Sequence, residues 1–259
     1  MTSPAVTGTQ HRVVKAIASA ALRTGVDFDY LMDQARVESA MSPNARASTS
    51  SATGLYQFTK QTWLGTVKQH GDAHGLGWAT SAIVKSGKGQ WAVADPDMRG
   101  AILDLRTNPE AAAAMAAELA ADNGEFLQSR IGGDPEPVDL YLAHFLGAEG
   151  ASRFLGAMKV NPEQAAAPLF PSAASANRSI FYRDDGSARS LSDIRRNFAQ
   201  KLGSASSTVP VISGNQHSSS RLAATPRTPL DMAQMEPMPK RLDLDFARNA
   251  YRRLSGQSA

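Results

Sequence analysis

Residues 38–58 read Glu-Ser-Ala-Met-Ser-Pro-Asn-Ala-Arg-Ala-Ser-Thr-Ser-Ser-Ala-Thr-Gly-Leu-Tyr-Gln-Phe. Leu31, Ala35 and Glu38 share one helical stripe, so Glu38 continues the apolar face of the helix that precedes this stretch. Asp27 or Asp29 can cap that helix, which puts Glu38 in its last turn. The carbonyl end of a helix disfavours negative charge, and an apolar face disfavours it further by desolvation. Both favour the protonated carboxyl, the form a general acid near neutral pH needs. On spacing alone, a helix-terminal glutamate that reaches solvent is the commoner case. Further along, Gly54 marks a place where the backbone turns or meets another group closely.

Working outward, most of the surrounding sequence reads as helix. Val13, Ile17, Ala20 and Ala21 recur at helical spacing, which gives a first amphipathic helix. Ala18-Ser19-Ala20 resembles a signal cleavage site, but the apolar piece before it is too short for a standard signal peptide. Thr59 can cap a helix that carries Trp63 and Val67 and stops at Gly71. Asp95-Pro96 and Asn108-Pro109-Glu110 each pair a cap with a first-turn proline. The alanine-rich run from Glu110 to Asp122 has Asn123-Gly124 as its expected C-cap. Helices are also expected over about 138–146 and 151–158, after Asn161-Pro162-Glu163, and over 192–202, where Ser190 and Ser192 compete as cap. Alternating strand patterns are scarce, so the fold class expected is mainly α.

The division expected is a flexible N-terminus at 1–7, one helical domain at 8–202, a Ser/Pro-rich disordered linker at 203–240 and a short amphipathic helix at 241–259. That last piece sets Leu244, Ala247, Tyr251 and Leu254 on one stripe beside Arg248, Arg252 and Arg253. Such a helix can dock on a secretion, flagellar or phage assembly partner, lie on an anionic membrane, or fold back on its own domain.

Composition removes several functions. With 27 Lys plus Arg against 24 Asp plus Glu, the +3 excess falls wholly after residue 202 and leaves the domain neutral. A neutral body argues against nucleic acid as its ligand. There is no cysteine, which removes disulfides, thiol catalysis and cysteine-based metal sites. The five histidines form no obvious metal cluster; His70 and His74 have i, i+4 spacing, but Gly71 and Asp72 interrupt it. No apolar run approaches the length of a transmembrane helix.

The quoted segment resembles the catalytic segment of the soluble lytic transglycosylase family, whose fold is lysozyme-like. The family pattern is Glu-Ser, an apolar residue, Pro and Ala, then Ser, then Ala-x-Gly-Leu-x-Gln. Glu38-Ser39, Met41, Pro43, Ala45, Ser48, Ala52, Gly54-Leu55 and Gln57 fit it in order. One residue is inserted between Ala45 and Ser48; Ser51 stands where the family usually has Gly, and Tyr56 where it often has Met. Residues 143–147, Ala-His-Phe-Leu-Gly, resemble a diverged form of the family's Ala-Tyr-Asn-x-Gly helix, with Phe145 in place of Asn. Tyr182 resembles the tyrosine that lies beside the catalytic acid. The resemblance covers about residues 10–200 and is strong only at 38–58.

What the resemblance implies is a lysozyme-like domain acting on peptidoglycan without metal or cofactor. Glu38 is the expected catalytic acid, and Ser39, Ser48, Gly54, Tyr56, Gln57, His144 and Tyr182 are expected at the saccharide. Ser39 and Ser48 have turn bonding as the alternative, and His144 and Tyr182 ordinary half-burial. Trp63, Trp78, Trp91 and Tyr141 can stack on sugars, although a Trp at helical spacing is more often core.

Residues 39–71 contain no Asp or Glu. Glycosidases that use a second carboxylate hold it about 5 Å from the acid when retaining and about 6.5–9.5 Å when inverting. One carboxyl suffices if the attacking hydroxyl belongs to the substrate, as in the lytic transglycosylase reaction that closes a 1,6-anhydromuramyl ring. Asp95, Asp97, Asp139 and Glu149 stay open as distant second carboxylates, so a hydrolysing muramidase is the alternative on this fold. A non-catalytic wall-binding or assembly protein is the alternative of another class. The site of action implied is the periplasm or cell wall, reached by non-classical export or release.

Overall fold

The computed structural model describes residues 8–48 and 50–206; the expected N-terminal segment 1–7, most of the linker and the helix at 241–259 lie outside the described residues. Eleven α-helices and one short hairpin make up the described chain. At the centre stands α6 (Pro109–Ile131), whose residues Ala111 to Ala117 are all buried. Alanine pays no side-chain entropy in a helix and lets neighbours approach closely. This run therefore serves as the post against which the other helices pack. On it lie α1 (Gly8–Thr24), α2 (Phe28–Ser39), α3 (Lys60–His70), α7 (Pro137–Leu146) and α8 (Ala148–Val160), while α11 (Leu191–Ser206) closes over α2 and α7.

The helix α6 runs past its expected stop. Asn123 is buried and Gly124 lies within the helix, where a Cβ would sit 3.6 Å from Leu140 of α7; Gly132 is the actual cap. Tertiary packing overrides the weak stop signal of Asn-Gly. The helix expected after Asn161-Pro162-Glu163 does not form there. Pro162, Gln164 and Ala166 instead spend backbone groups on Ser192, Leu191 and Arg189, and the chain turns helical again at α9 (Pro171–Ala176) and α10 (Arg178–Phe181). At the far end α11 continues to Ser206 with Leu202 buried, so the helical body extends beyond residue 202.

Polar staples fix the neighbours of α6. The Arg12 guanidinium on α1 meets Glu110 at 2.7 Å through two parallel bonds. His70 and His74 both reach α6, because a 3-10 turn at Gly71–His74 carries the chain on from α3. His70 Nε2 lies 2.7 Å from Asp122, and His74 Nε2 lies 2.7 Å from Glu118. The interruption seen in the sequence thus redirects the pair without separating it. No group of three His, Asp or Glu among the described residues is placed to hold a metal ion.

The remaining elements, α4 (Gly77–Ala82), the antiparallel hairpin β1 (Ile83–Lys85) and β2 (Trp91–Val93), and α5 (Pro96–Asp104), cover α3. Trp63 of α3 is fully buried, its indole donating to the Ile102 carbonyl at 2.7 Å, and Trp78 is buried as well. Trp91 is half-buried, with the Lys85 ammonium 4.9 Å from its ring centre. No helix among the described residues is long and apolar enough to cross a membrane.

Candidate active site

The side chain of Asp27 accepts the Tyr30 N–H at 2.8 Å and starts α2, resolving the choice of cap in its favour. Glu38 is the penultimate residue of this helix. The chain leaves it through two consecutive left-handed residues, Ala40 (φ 51°) and Met41 (φ 65°), whose N–H groups return to the Arg36 and Ala35 carbonyls. Neither is glycine, so the sharp exit carries backbone strain.

Segment 45–58 is a folded loop tied to two places. Gly54 donates to Ala45 and accepts from Gln57, while Thr53 bridges both Arg46 and Phe58. The buried Arg106 guanidinium donates to the Ser51 and Phe58 carbonyls at 2.7 and 3.1 Å. Burial pulls that guanidinium below its ordinary pKa. A Cβ on Gly54, with φ at 86°, would stand 1.9 Å from the Arg106 carbonyl oxygen. The second tie runs to α2: the Ser39 hydroxyl lies 2.8 Å from the Leu55 carbonyl and 3.0 Å from that of Ala35. Tyr56 is 0% exposed and donates to the Leu31 carbonyl at 3.1 Å.

Several residues of the motif are therefore bound to protein backbone around the helix that carries Glu38. Gly54 meets protein backbone where a saccharide contact was expected, Tyr56 is sealed in the core, and Ser39 fastens the loop to the helix. Gln57, itself at φ 47°, points Nε2 at the Gly54 and Ala45 carbonyls. Because both partners are acceptors, the amide nitrogen faces inward and Oε1 is the end left for a ligand. Ser48 is exposed on the loop.

Glu38 and His144 come together. His144 Nε2 on α7 lies 3.4 Å from Glu38 Oε1, and each side chain is 17% exposed. Tyr141, one turn earlier on α7, stacks on the His144 ring with centroids 6.1 Å apart and planes 24° apart. Burial, then the charge of Glu38 and a hydrogen bond to it, push the Tyr141 phenol above its ordinary pKa. Burial and, secondarily, Glu38 do the same to Tyr30. Tyr141 is thus a tyrosine next to Glu38; Tyr182 is half-buried, with the Arg178 guanidinium 4.8 Å from its ring centre. The signal for Tyr141 was its i, i+3 spacing to His144, which places both on one helix face.

The helix α7 is itself held firmly. Glu136 and Asp139 form a capping box at its start, and Arg195 of α11 binds Asp139 at 2.9 Å and Glu136 at 2.8 Å. Phe198 of α11 packs edge-on against Tyr141 and Phe145, with centroids 5.1 and 5.2 Å away. Of the distant acids, Asp139 is consumed by this clamp and Asp95 by capping α5; Asp97 and Glu149 lie exposed. Among the described residues the ion-pair partner of Glu38 is His144.

The arrangement offers one carboxyl, half-shielded at a helix end, with an imidazole and a phenol facing it. Residues 15–76, from within α1 to just past the 3-10 turn after α3, match the family model described as Transglycosylase SLT domain. Over this stretch the chain is similar to the SLT domain, a lytic-transglycosylase type of domain of the lysozyme-like superfamily, which supports a function on peptidoglycan.

Proposed function

We propose that the protein is a lytic transglycosylase that cleaves the β-1,4 bond between N-acetylmuramic acid and N-acetylglucosamine, with Glu38 as its single catalytic carboxyl. The observation that carries this reading is the half-shielded Glu38 on a strained helix end, facing His144 and Tyr141, followed by 33 residues (39–71) without a carboxylate. Glu38 protonates the glycosidic oxygen as the anomeric carbon–oxygen bond breaks. The substrate's N-acetyl group bears on the positive charge at that carbon. The Glu38 carboxylate then takes the proton of the muramyl C6 hydroxyl, whose oxygen closes on the anomeric carbon. Glu38 ends protonated as it began, and no water is consumed. In this reading Ser48 and the Gln57 Oε1 meet the glycan, and the reaction takes place where peptidoglycan lies, in the periplasm or cell wall.

Mass spectrometry of muropeptides after incubation with the purified protein tests this. Anhydro ends, one water lighter than hydrolysis products, are expected. Reducing muramic acid ends alone would make the enzyme a hydrolase and send the search for a second carboxylate to Asp97 and Glu149. Glu38→Gln keeps the shape of the side chain but cannot carry the proton. Turnover should fall by at least about 10²–10⁴-fold, the usual worth of general acid–base catalysis. Retention of more than about a tenth of wild-type activity, above what that loss permits, would remove Glu38 from the role.

A further inference from the structure

We infer that His144 is a positioning residue for Glu38: its imidazole, braced by Tyr141, holds the carboxylate in one orientation through both proton transfers. This rests on the assignment of Glu38 as the acid. The physical need is specific to this place. Between the two transfers Glu38 stands as a carboxylate in the last turn of α2, where the negative end of the helix dipole disfavours it. An N–H aimed at it from another helix offsets that effect and fixes which oxygen faces the sugar.

His144 meets the requirement geometrically. Its Nε2 faces Glu38 Oε1 at 3.4 Å. That distance exceeds the roughly 2.7–2.9 Å of a formed charge-assisted bond. Catalytic hydrogen bonds are often long in the free enzyme and tighten when substrate binds. A narrow void beside the ring is lined by Gln34 of α2, Tyr30 and Asn123. Gln34 stands one turn before Glu38, and its buried Oε1 has no partner. On the other side the stacked Tyr141, backed by Phe198, stops the ring from rotating away. The Arg195–Asp139 clamp fixes the helix that carries both. A side chain only 17% exposed and turned toward the acid is better suited to orienting that acid than to gripping a glycan.

The test uses the full chain and soluble, uncrosslinked glycan strands, comparing His144→Leu, His144→Gln and Glu38→Gln by kcat, KM and thermal melting. Losing a hydrogen bond to a charged group is expected to lower kcat about 10–100-fold in His144→Leu, with KM within about threefold because substrate binding is untouched. His144→Gln, whose Nε2 can lie where the imidazole Nε2 lies, should recover kcat to within about fivefold of wild type on the same reasoning. Full kcat in His144→Leu overturns the inference. So does a defect in KM alone, which would make His144 a substrate contact. Equal loss in both His144 variants with a lowered melting temperature also overturns it, as a purely structural role. Activity in Glu38→Gln would defeat the assignment of the acid and this inference with it. An inactive Glu38→Gln beside a fully active His144→Leu defeats this inference alone.

Discussion

The hydroxyl of Tyr56 donates to the backbone carbonyl of Leu31, two turns before Glu38 on the same helix. The loop that follows the acid therefore reaches back beneath the helix that presents it. Burial pushes the Tyr56 phenol above its ordinary pKa, so it remains a donor throughout the working pH range. In Tyr56→Phe the Leu31 carbonyl keeps its helical partner and only the extra bond is lost. Stability should fall by about 1 kcal/mol, seen as a drop of about 2–4 °C in Tm for a domain of this size. The substitution should leave kcat within a few-fold; a collapse of activity at unchanged Tm would mean that the hydroxyl has a part in the chemistry.

Gly54 is the tightest point of that loop. An alanine there must put its Cβ against the Arg106 backbone carbonyl while holding a left-handed φ. Backbone on both sides leaves nothing flexible to move. Gly54→Ala should cost about 3 kcal/mol or more, lower Tm by at least about 6 °C and loosen the seat of Gln57. A melting temperature within about 2 °C of wild type, well under that expectation, would show that the loop is not seated on Arg106.

At the helix exit the expected sign is opposite. Ala40 is exposed and left-handed, a conformation that costs a non-glycine residue roughly 1–2 kcal/mol. Glycine removes that cost but loses about 0.5–1 kcal/mol of its own freedom on folding. Ala40→Gly should therefore stabilise by about 0.5 kcal/mol by the difference of those terms, with Glu38 still in place and activity kept. Differential scanning calorimetry on the two proteins decides it, and a clear loss of stability would mean that the strain at this exit is misjudged.

The clamp on α7 gives the fourth expectation. Asp139 is buried, while Arg195 and especially Glu136 keep solvent access, which screens part of the interaction. Asp139→Asn preserves the capping bond to the Glu136 N–H but leaves Arg195 without its buried counter-charge. A loss of about 1–3 kcal/mol is expected, below the value for a fully buried pair. Because α7 carries Tyr141 and His144, kcat should fall as well. Urea denaturation alongside glycan cleavage would separate the two effects, and an unchanged kcat would show that α7 holds its register without the clamp.

Periodicity and caps alone determined much of this protein. Asp27, Thr59, Asn108 and the prolines after Asp95 and Asn108 start their helices where the sequence places them, because an N-cap bond is made within three residues and needs no tertiary partner. The stripe of Leu31, Ala35 and Glu38 likewise put the acid at a helix end facing inward, since i, i+3 and i+7 positions share a face in any α-helix. Tertiary structure decided what those local rules do not contain. Asn123-Gly124 reads as a stop, yet Leu140 packs against the glycine and α6 runs on to Ile131. Tyr56, Gly54 and Ser39 read as saccharide contacts, yet their partners are the Leu31, Arg106 and Leu55 backbones, up to 52 residues away. His144 and Tyr141 become neighbours of Glu38 only because α11, through Arg195 and Phe198, turns one face of α7 toward α2. A helix's face is written in its own period, but which face of another helix it meets is set by the packing of the whole core.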